Sequence, residues 1–407
     1  MKEYLKLAWR NIWRNKRRTL ITTASVFFAI FFALIMRAFQ LGSYSNMIDN
    51  AVQLYSGHIQ IHAKGFKDNQ SINNSFVYDQ DLFNTLNDHD LIKDVIPRLE
   101  SFALASSGNK TKGVLLMGVD PEKQDEMSKL SEKIVKGGYL SGGENSLLLS
   151  QTLSEFLKVS VNDTIVLLSQ GYHGATAAGK YQVKGIVKIP KPDMDNKMVY
   201  LPLHTAQQMY LANDRLTTVS VNIHDSDELQ HMVDELNRLL PSEKYEVQSW
   251  KELMPELVQQ IESDNASGWI LLAILYIIIA FGVFGTVMMM VVERKKEFGI
   301  MVAVGMKRIK LAVIVAMEMV MIGMLGLLSG IAGSIPIILY FYHNPIRLSG
   351  ELAETIEVYG IEAILPLAWQ ADYFVNQFLI VALIVVVAVI YPVYSITKLK
   401  PVEAMRD

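Results

Sequence analysis

GWILLAILYIIIAFGVFGTVMMMVV, residues 268–292, carries no charged side chain and runs straight into ERKKEFGIMVAVGMKRIK, residues 293–310, where lysine and arginine crowd together. A helix of that length, rising about 1.5 Å per residue, crosses the roughly 30 Å of hydrocarbon in a bilayer. The basic run behind it is the flank that membrane spans keep on the cytoplasmic side. Three further segments have the same character, at residues 19–42, 311–341 and 374–397. In a chain of 407 residues that is 51% hydrophobic and 19% charged, lipid is therefore the solvent for a large part of the molecule.

The first of these segments is too long for a signal-peptide core and no small-x-small site ends it, so it reads as an uncleaved anchor. Orientation follows from the short flanks. KEYLKLAWRNIWRNKRR before span one, residues 293–310 between spans two and three, and TKLKPVEAMRD after span four are all basic. The connection at residues 342–373 instead sets Arg347 against Glu351, Glu354, Glu357, Glu362 and Asp372. Both termini and the 293–310 loop are accordingly expected in the cytoplasm, with residues 43–267 and the acidic loop outside. The expected fold is an α-helical membrane protein of four transmembrane helices, with a large α+β extracytoplasmic domain inserted between the first and second. In residues 1–18, Tyr4, Leu5, Ala8, Trp9, Ile12 and Trp13 share one helical face and Lys2, Lys6, Arg10 and Arg14 another. That pattern suits an elbow helix lying in the headgroups of membrane lipid, the alternative being a plain positive flank. Residues 398–407 form a cytoplasmic tail.

Within residues 43–267, period-two alternation predicts strands at GHIQIHAKG, GVLLMGVD, DTIVLLS, YQVKGIVKI, KMVYLPL and TTVSVNIH. SQTLSEFLKV and SDELQHMVDELNRLL are amphipathic; in the latter Leu229, Met232, Val233, Leu236, Leu239 and Leu240 share the face expected to be buried. WKELMPELVQQIESD places Trp250, Leu253, Leu257 and Ile261 on one stripe and is expected to run as one rigid helix into span two.

Composition and motifs exclude much chemistry. There is no cysteine, and a net charge of −3 leaves no nucleic-acid footprint. GATAAGKY puts Gly174, Gly179 and Lys180 on the positions of a P-loop, but Tyr181 stands where the magnesium-binding hydroxyl should be and a strand follows where a helix is required. The stretch is expected to be a projecting hairpin or mobile loop, with Tyr172 and His173 near its tip and Lys180 at its base as a possible partner contact. His58 and His62, four residues apart on a strand, would stand about 13 Å apart and cannot share a metal. No metal site and no catalytic motif is expected. Glu318, about two turns inside span three, is either paired as structural glue or a functional intramembrane charge. Gly323, Gly326, Gly330 and Gly333 form a stripe for close helix packing.

The loop and the span after it, ERKKEFGIMVAVGMKRIKLAVIVAMEMVMIGMLGLLSG, resemble the FtsX-like permease motif at Arg294, Glu297, Phe298, Gly299, Ile300, Met301, Ala303, Val304, Gly305 and Glu318. LAWRNIWRNKRRTLITT and YPVYSITKLKPVEAMRD agree, the latter with Pro401, Glu403, Ala404 and Arg406. The large first outer domain is most similar to lipoprotein-releasing-system permeases. The resemblance implies a non-catalytic permease of a bacterial inner membrane. It implies a second permease subunit, homo- or heteromeric, and a separate ABC ATPase dimer that itself binds ATP and magnesium. It also implies that Arg294 to Gly305 form the coupling helix, docked by Phe298, Ile300, Met301 and Val304. Lipoprotein cargo and a periplasmic carrier follow from the closest layout. Export of a small hydrophobic compound or peptide through a periplasmic adaptor, or transmembrane activation of a periplasmic cell-wall hydrolase without cargo, stand as alternatives.

Overall fold

The computed structural model describes residues 2–14, 16–351, 353, 363–400 and 404. Glu354, Glu357 and Glu362 of the acidic connection, and Pro401, Glu403 and Arg406 of the tail, lie outside the described residues, as do the side chains of Lys2, Tyr4 and Leu5. The chain divides into two units. One comprises Met1–Ser45, Gln260–Arg347 and Ile364–Asp407; the other comprises Asn46–Gln259 and Leu348–Ala363.

In the first unit an amino-terminal helix, Lys2–Arg14, precedes the first span helix, Lys16–Ala51. The second span helix is Pro255–Glu293, the connecting helix Lys295–Ala303, the third span helix Arg308–His343 and the fourth Ala371–Thr397. Among the described residues, four helices are long and apolar enough to cross a membrane. The first continues past residue 42 to Ala51 because nothing in LGSYSNMIDNA breaks a helix. The second does not extend back to Trp250. A short helical turn, Trp250–Leu253, ends at Met254 with φ −126° and ψ 61°, and the long helix starts afresh at Pro255. The pyrrolidine ring disfavours helical geometry at Met254, so the long helix begins only at Pro255 and not at Trp250 as expected.

Small residues set the helix spacing. A Cβ on Gly323 would sit 2.4 Å from Val385 of the fourth span helix, on Gly326 2.7 Å from the Thr23 carbonyl oxygen, and on Gly330 2.1 Å from Ile30 Cγ2. Gly333 lies against the Phe27 ring, at 3.1 Å by the same measure. Three of the four glycines thus admit the first span helix and one admits the fourth.

The second unit is α+β. Its strands are β1 (Ile59–Ala63), β2 (Phe76–Val77), β3 (Ile92–Ser107), β4 (Lys110–Val119), β5 (Ile134–Gly137), β6 (Ser146–Ser150), β7 (Thr164–Gln170), β8 (Thr176–Val187), β9 (Met198–Pro202), β10 (Arg215–Leu216), β11 (Thr218–Ile223) and β12 (Tyr245–Ser249). The main sheet runs β12-β1-β11-β3-β4-β9-β6-β8-β5, with β7 joined to β3 and β8. Only β4–β9 and β6–β8 are parallel. The 16-residue β3 holds the sheet together: Ile92 to Arg98 pair with β11, and Leu104 to Ser106 pair with β7. Helix Leu229–Leu239 buries Leu229, Met232, Val233 and Leu236 against β1, β11 and β12, but Leu239 is 52% exposed. The apolar stripe there is narrower than the spacing of leucines suggests.

Candidate functional site

The second span helix ends at Glu293, and Arg294, with φ −99° and ψ 3°, turns the chain into the connecting helix. Arg294 is buried, and its Nη1 donates to both carboxylate oxygens of Glu318, at 2.9 and 2.7 Å. Glu318 is itself 1% exposed and accepts a further bond from Asn11 Nδ2 of the amino-terminal helix at 3.2 Å. A carboxylate inside a span is costly in isolation, and here a guanidinium and an amide satisfy it. Glu318 is therefore paired to the connecting helix and is not a lone intramembrane charge.

Glu297, one turn along, accepts from Arg14 Nη2 at 2.6 Å and from Arg294 Nε at 3.3 Å. Burial alone would raise the Glu297 carboxyl, but bonds and charge from Arg14 and Arg294 outweigh it and hold the group below the ordinary carboxylate range. One cluster thus ties three elements together: the amino-terminal helix through Asn11 and Arg14, the connecting helix through Arg294 and Glu297, and the third span helix through Glu318. On the amino-terminal helix, Ala8 and Ile12 turn into the unit's interior while Trp9 and Trp13 remain about half exposed, their rings 6.0 Å apart.

The motif residues divide by direction. Phe298 is fully buried in the core of the span helices, with the Arg294 guanidinium 5.1 Å from its ring centroid, so it is not available as a docking anchor. Its place in the motif is explained by packing. Met301 is half-buried against the same core, and Gly299 is buried. Ile300 is 49% exposed and Val304 85%, with Ala303 also exposed beside them. Ile309, at the start of the third span helix, is 65% exposed and belongs to the same short stretch; it escaped the sequence reading because it falls outside the motif. Gly305 takes φ +106°, which lets the chain reverse between the connecting and third span helices.

The glycine-rich stretch of the outer domain differs from the loop expected. β7 and β8 pair from Thr164↔Gln182 to Gln170↔Thr176, leaving Gly171–Ala175 as a compact turn. Lys180 lies within β8 opposite Val166, not at a loop base. The Tyr172 amide donates to the Tyr210 carbonyl at 2.8 Å, the His173 amide donates to Asn73 Oδ1 at 2.7 Å, and the Arg215 guanidinium sits 4.4 Å from the Tyr172 ring centroid. Only His173 of the two expected anchors is exposed. His62 of β1 is buried. Its Nδ1 lies 2.9 Å from the Thr217 carbonyl, its Nε2 lies 3.1 Å from the Gln60 amide, and its ring stacks on Phe66.

Spans, junction and inserted domain together define a multi-pass permease with a periplasmic domain. The sequence matches the MacB-like periplasmic core domain over residues 19–239 and the FtsX-like permease C-terminal domain over residues 269–401. The chain belongs to this FtsX/MacB-like family of ABC transporter permeases. It is similar to the lipoprotein-releasing system transmembrane protein LolC of Xylella fastidiosa, 25% identical over 325 residues and 76% of each chain. It is also similar to the LolE protein of Haemophilus influenzae, 23% identical over 413 residues and 98% of each. A solved structure, the extracellular domain of the transporter YknZ from Gram-positive bacteria, superposes with TM-score 0.34 at 18% identity, over 47% of this chain and 99% of that one.

Proposed function

We propose that this chain is the permease subunit of a mechanotransmission ABC transporter in a bacterial inner membrane. A separate ATPase dimer holds ATP and magnesium beneath a pair of permeases. Hydrolysis moves the connecting helix, and the permease converts that movement into extraction of lipoproteins toward a periplasmic carrier. Both termini and the connecting helix face the cytoplasm in this reading.

The observation that carries it is the two-sidedness of the connecting helix. Arg294 and Phe298 fix it to the span helices from within. Ile300, Val304 and Ile309 present apolar side chains outward, beside a helix that a groove could grip. A push on the outward side reaches the third span helix through the Arg294–Glu318 pair. The lipoprotein part of the reading rests on the names of the relatives over most of the chain.

The test is purification of the intact complex from its native membrane. The proposal expects an ABC ATPase to co-purify, Val304→Asp and Ile300→Asp to release it while the permease remains inserted, and mass spectrometry to find lipid-modified protein in the trapped complex. An ATPase retained by both variants would overturn the docking assignment. A complex carrying only a small hydrophobic compound, or a periplasmic hydrolase activator, would overturn the cargo.

A further inference from the structure

A second polar cluster joins the first and second span helices at the ends opposite the connecting helix. Nineteen steps of about 1.5 Å from Arg18 bring the first span helix across roughly the hydrocarbon thickness to Arg37, its next charged residue. Arg37 Nη1 donates to Gln40 Oε1 at 2.6 Å and, across to the second span helix, to Asn265 Oδ1 at 2.8 Å. Gln40 Nε2 donates to the Tyr44 hydroxyl at 2.7 Å and to the Asp264 carbonyl at 3.1 Å, and the Tyr44 hydroxyl donates to Asp264 Oδ2 at 2.6 Å. The arginine also lies 5.1 Å from the ring centroid of Trp269. Gln40 and Tyr44 are buried. Glycine at position 268 leaves the amide its place: a Cβ there would stand 2.0 Å from Gln40 Nε2 and force the side chain to shift.

Ordinary helix packing in lipid does not require such a cluster. Small residues and dispersion suffice at Gly323, Gly326 and Gly330, whereas here a buried amide is held from both ends, with bonds that each fix direction. The two helices so joined are the ones whose sequence leads directly into and out of the periplasmic domain. We infer that Arg37, Gln40 and Tyr44, closed over Gly268 onto Asp264 and Asn265, clamp the outer ends of the first and second span helices so that they move as one body during the ATP-driven cycle. These are positioning residues, and the inference rests on the coupling function proposed above.

The absence of cysteine allows clean labelling. Spin labels at Phe39→Cys and Leu271→Cys, both exposed positions on the two helices, report the separation of their outer ends in the purified complex. The clamp predicts that this distance shifts by less than about 2 Å between nucleotide-free and vanadate-trapped states, while Gly268→Ala and Gln40→Leu broaden it or displace it by about 5 Å, a helical turn. ATP hydrolysis should stay within about twofold in these variants, with movement no longer transmitted. Asp264→Asn keeps an acceptor for Tyr44 and should retain the wild-type distribution, which separates loss of the clamp from loss of folding. A wild-type separation that changes by a helical turn on trapping would overturn the inference, as would variants with the wild-type distribution. If the complex hydrolyses no ATP, the coupling function fails, yet the nucleotide-free comparison of Gly268→Ala with wild type still decides the clamp.

Discussion

Arg294 and Glu318, 24 residues apart, form a buried ion pair in which one guanidinium nitrogen donates to both carboxylate oxygens, at 2.9 and 2.7 Å, with the side chains 6% and 2% exposed. The arginine closes the second span helix and the glutamate lies within the third, so the pair ties the start of the connecting helix to the third span helix. It also gives one physical reason for two motif positions that sequence spacing leaves unconnected.

Removing one member takes from the other its closest charged partner, leaving Arg294 with Glu297 Oε2 at 3.3 Å or Glu318 with the Asn11 amide at 3.2 Å. Glu318→Ala leaves a buried guanidinium, and Arg294→Met a buried carboxylate; each should cost about 3–5 kcal/mol. The double variant Arg294→Met/Glu318→Leu should be markedly milder than the sum of the two, because no charge is then left without its partner. Thermal unfolding of the four proteins in detergent reads this directly. Additive losses would show that the two charges do not depend on each other.

Phe298 and Val304 should respond oppositely. Phe298→Ala removes a fully buried ring and is expected to destabilise the permease by about 3–5 kcal/mol. Val304→Asp alters a side chain 85% exposed and should leave the thermal midpoint within about the range of a surface change, ±0.5 kcal/mol, while releasing the ATPase. Equal effects of the two on stability would contradict the inward and outward division of the helix.

Much of the fold was legible because lipid imposes a simple rule: long uncharged runs are spans. The strands that alternate cleanly, such as Thr218–Ile223, were legible for the same kind of reason. β3 was not. Pro97 lies inside it opposite Val219, and Lys93, Asp94, Arg98 and Glu100 interrupt its alternation, so the 16-residue strand carries no clean period-two pattern. Arg98 is nonetheless fully buried, bonded to Gln124 at 3.1 Å and to the Tyr55 carbonyl. The candidate site was legible in its residues but not in their directions. Period alone cannot tell Phe298, which faces the span helices, from Ile300, which does not. The Gln40–Gly268 contact left no trace in sequence, because it joins residues 228 positions apart and uses no motif.

His62 supplies a pH dependence. Burial depresses its pKa, partly opposed by the bond to the Thr217 carbonyl, so the folded protein holds the ring neutral at pH values where the unfolded chain has already protonated it. The stability this contributes is complete above the unfolded value of about 6.5 and is lost as pH falls from there through the lower folded value. Wild type should therefore lose thermal stability relative to His62→Gln as pH falls below about 6.5. His58, depressed in the same direction, is present in both proteins and cancels. A constant difference over that fall would show that His62 is not held neutral.

The stretch that mimics a nucleotide loop gives the last prediction. Lys180 is an exposed residue of β8 whose neighbours across the sheet are β7 residues, with no helix amino terminus behind it to hold phosphate. Lys180→Ala should leave both ATP hydrolysis by the complex and the unfolding midpoint of the permease unchanged. Tyr172→Ala should leave hydrolysis unchanged but lower stability by about 0.5–1 kcal/mol, because the ring lies under the Arg215 guanidinium. Deleting Tyr172 to Ala178 is a poor probe of the turn, since Thr176, Ala177 and Ala178 are paired with Gln170, Ser169 and Leu168 and the deletion would unravel the hairpin itself. His173→Ala is the milder change: it keeps the backbone amide that bonds Asn73 and removes the exposed ring, whose centroid lies 4.0 Å from that of Tyr172. Loss of ATP binding in Lys180→Ala, measured on the permease freed of its ATPase, would restore the nucleotide reading that the paired strands oppose.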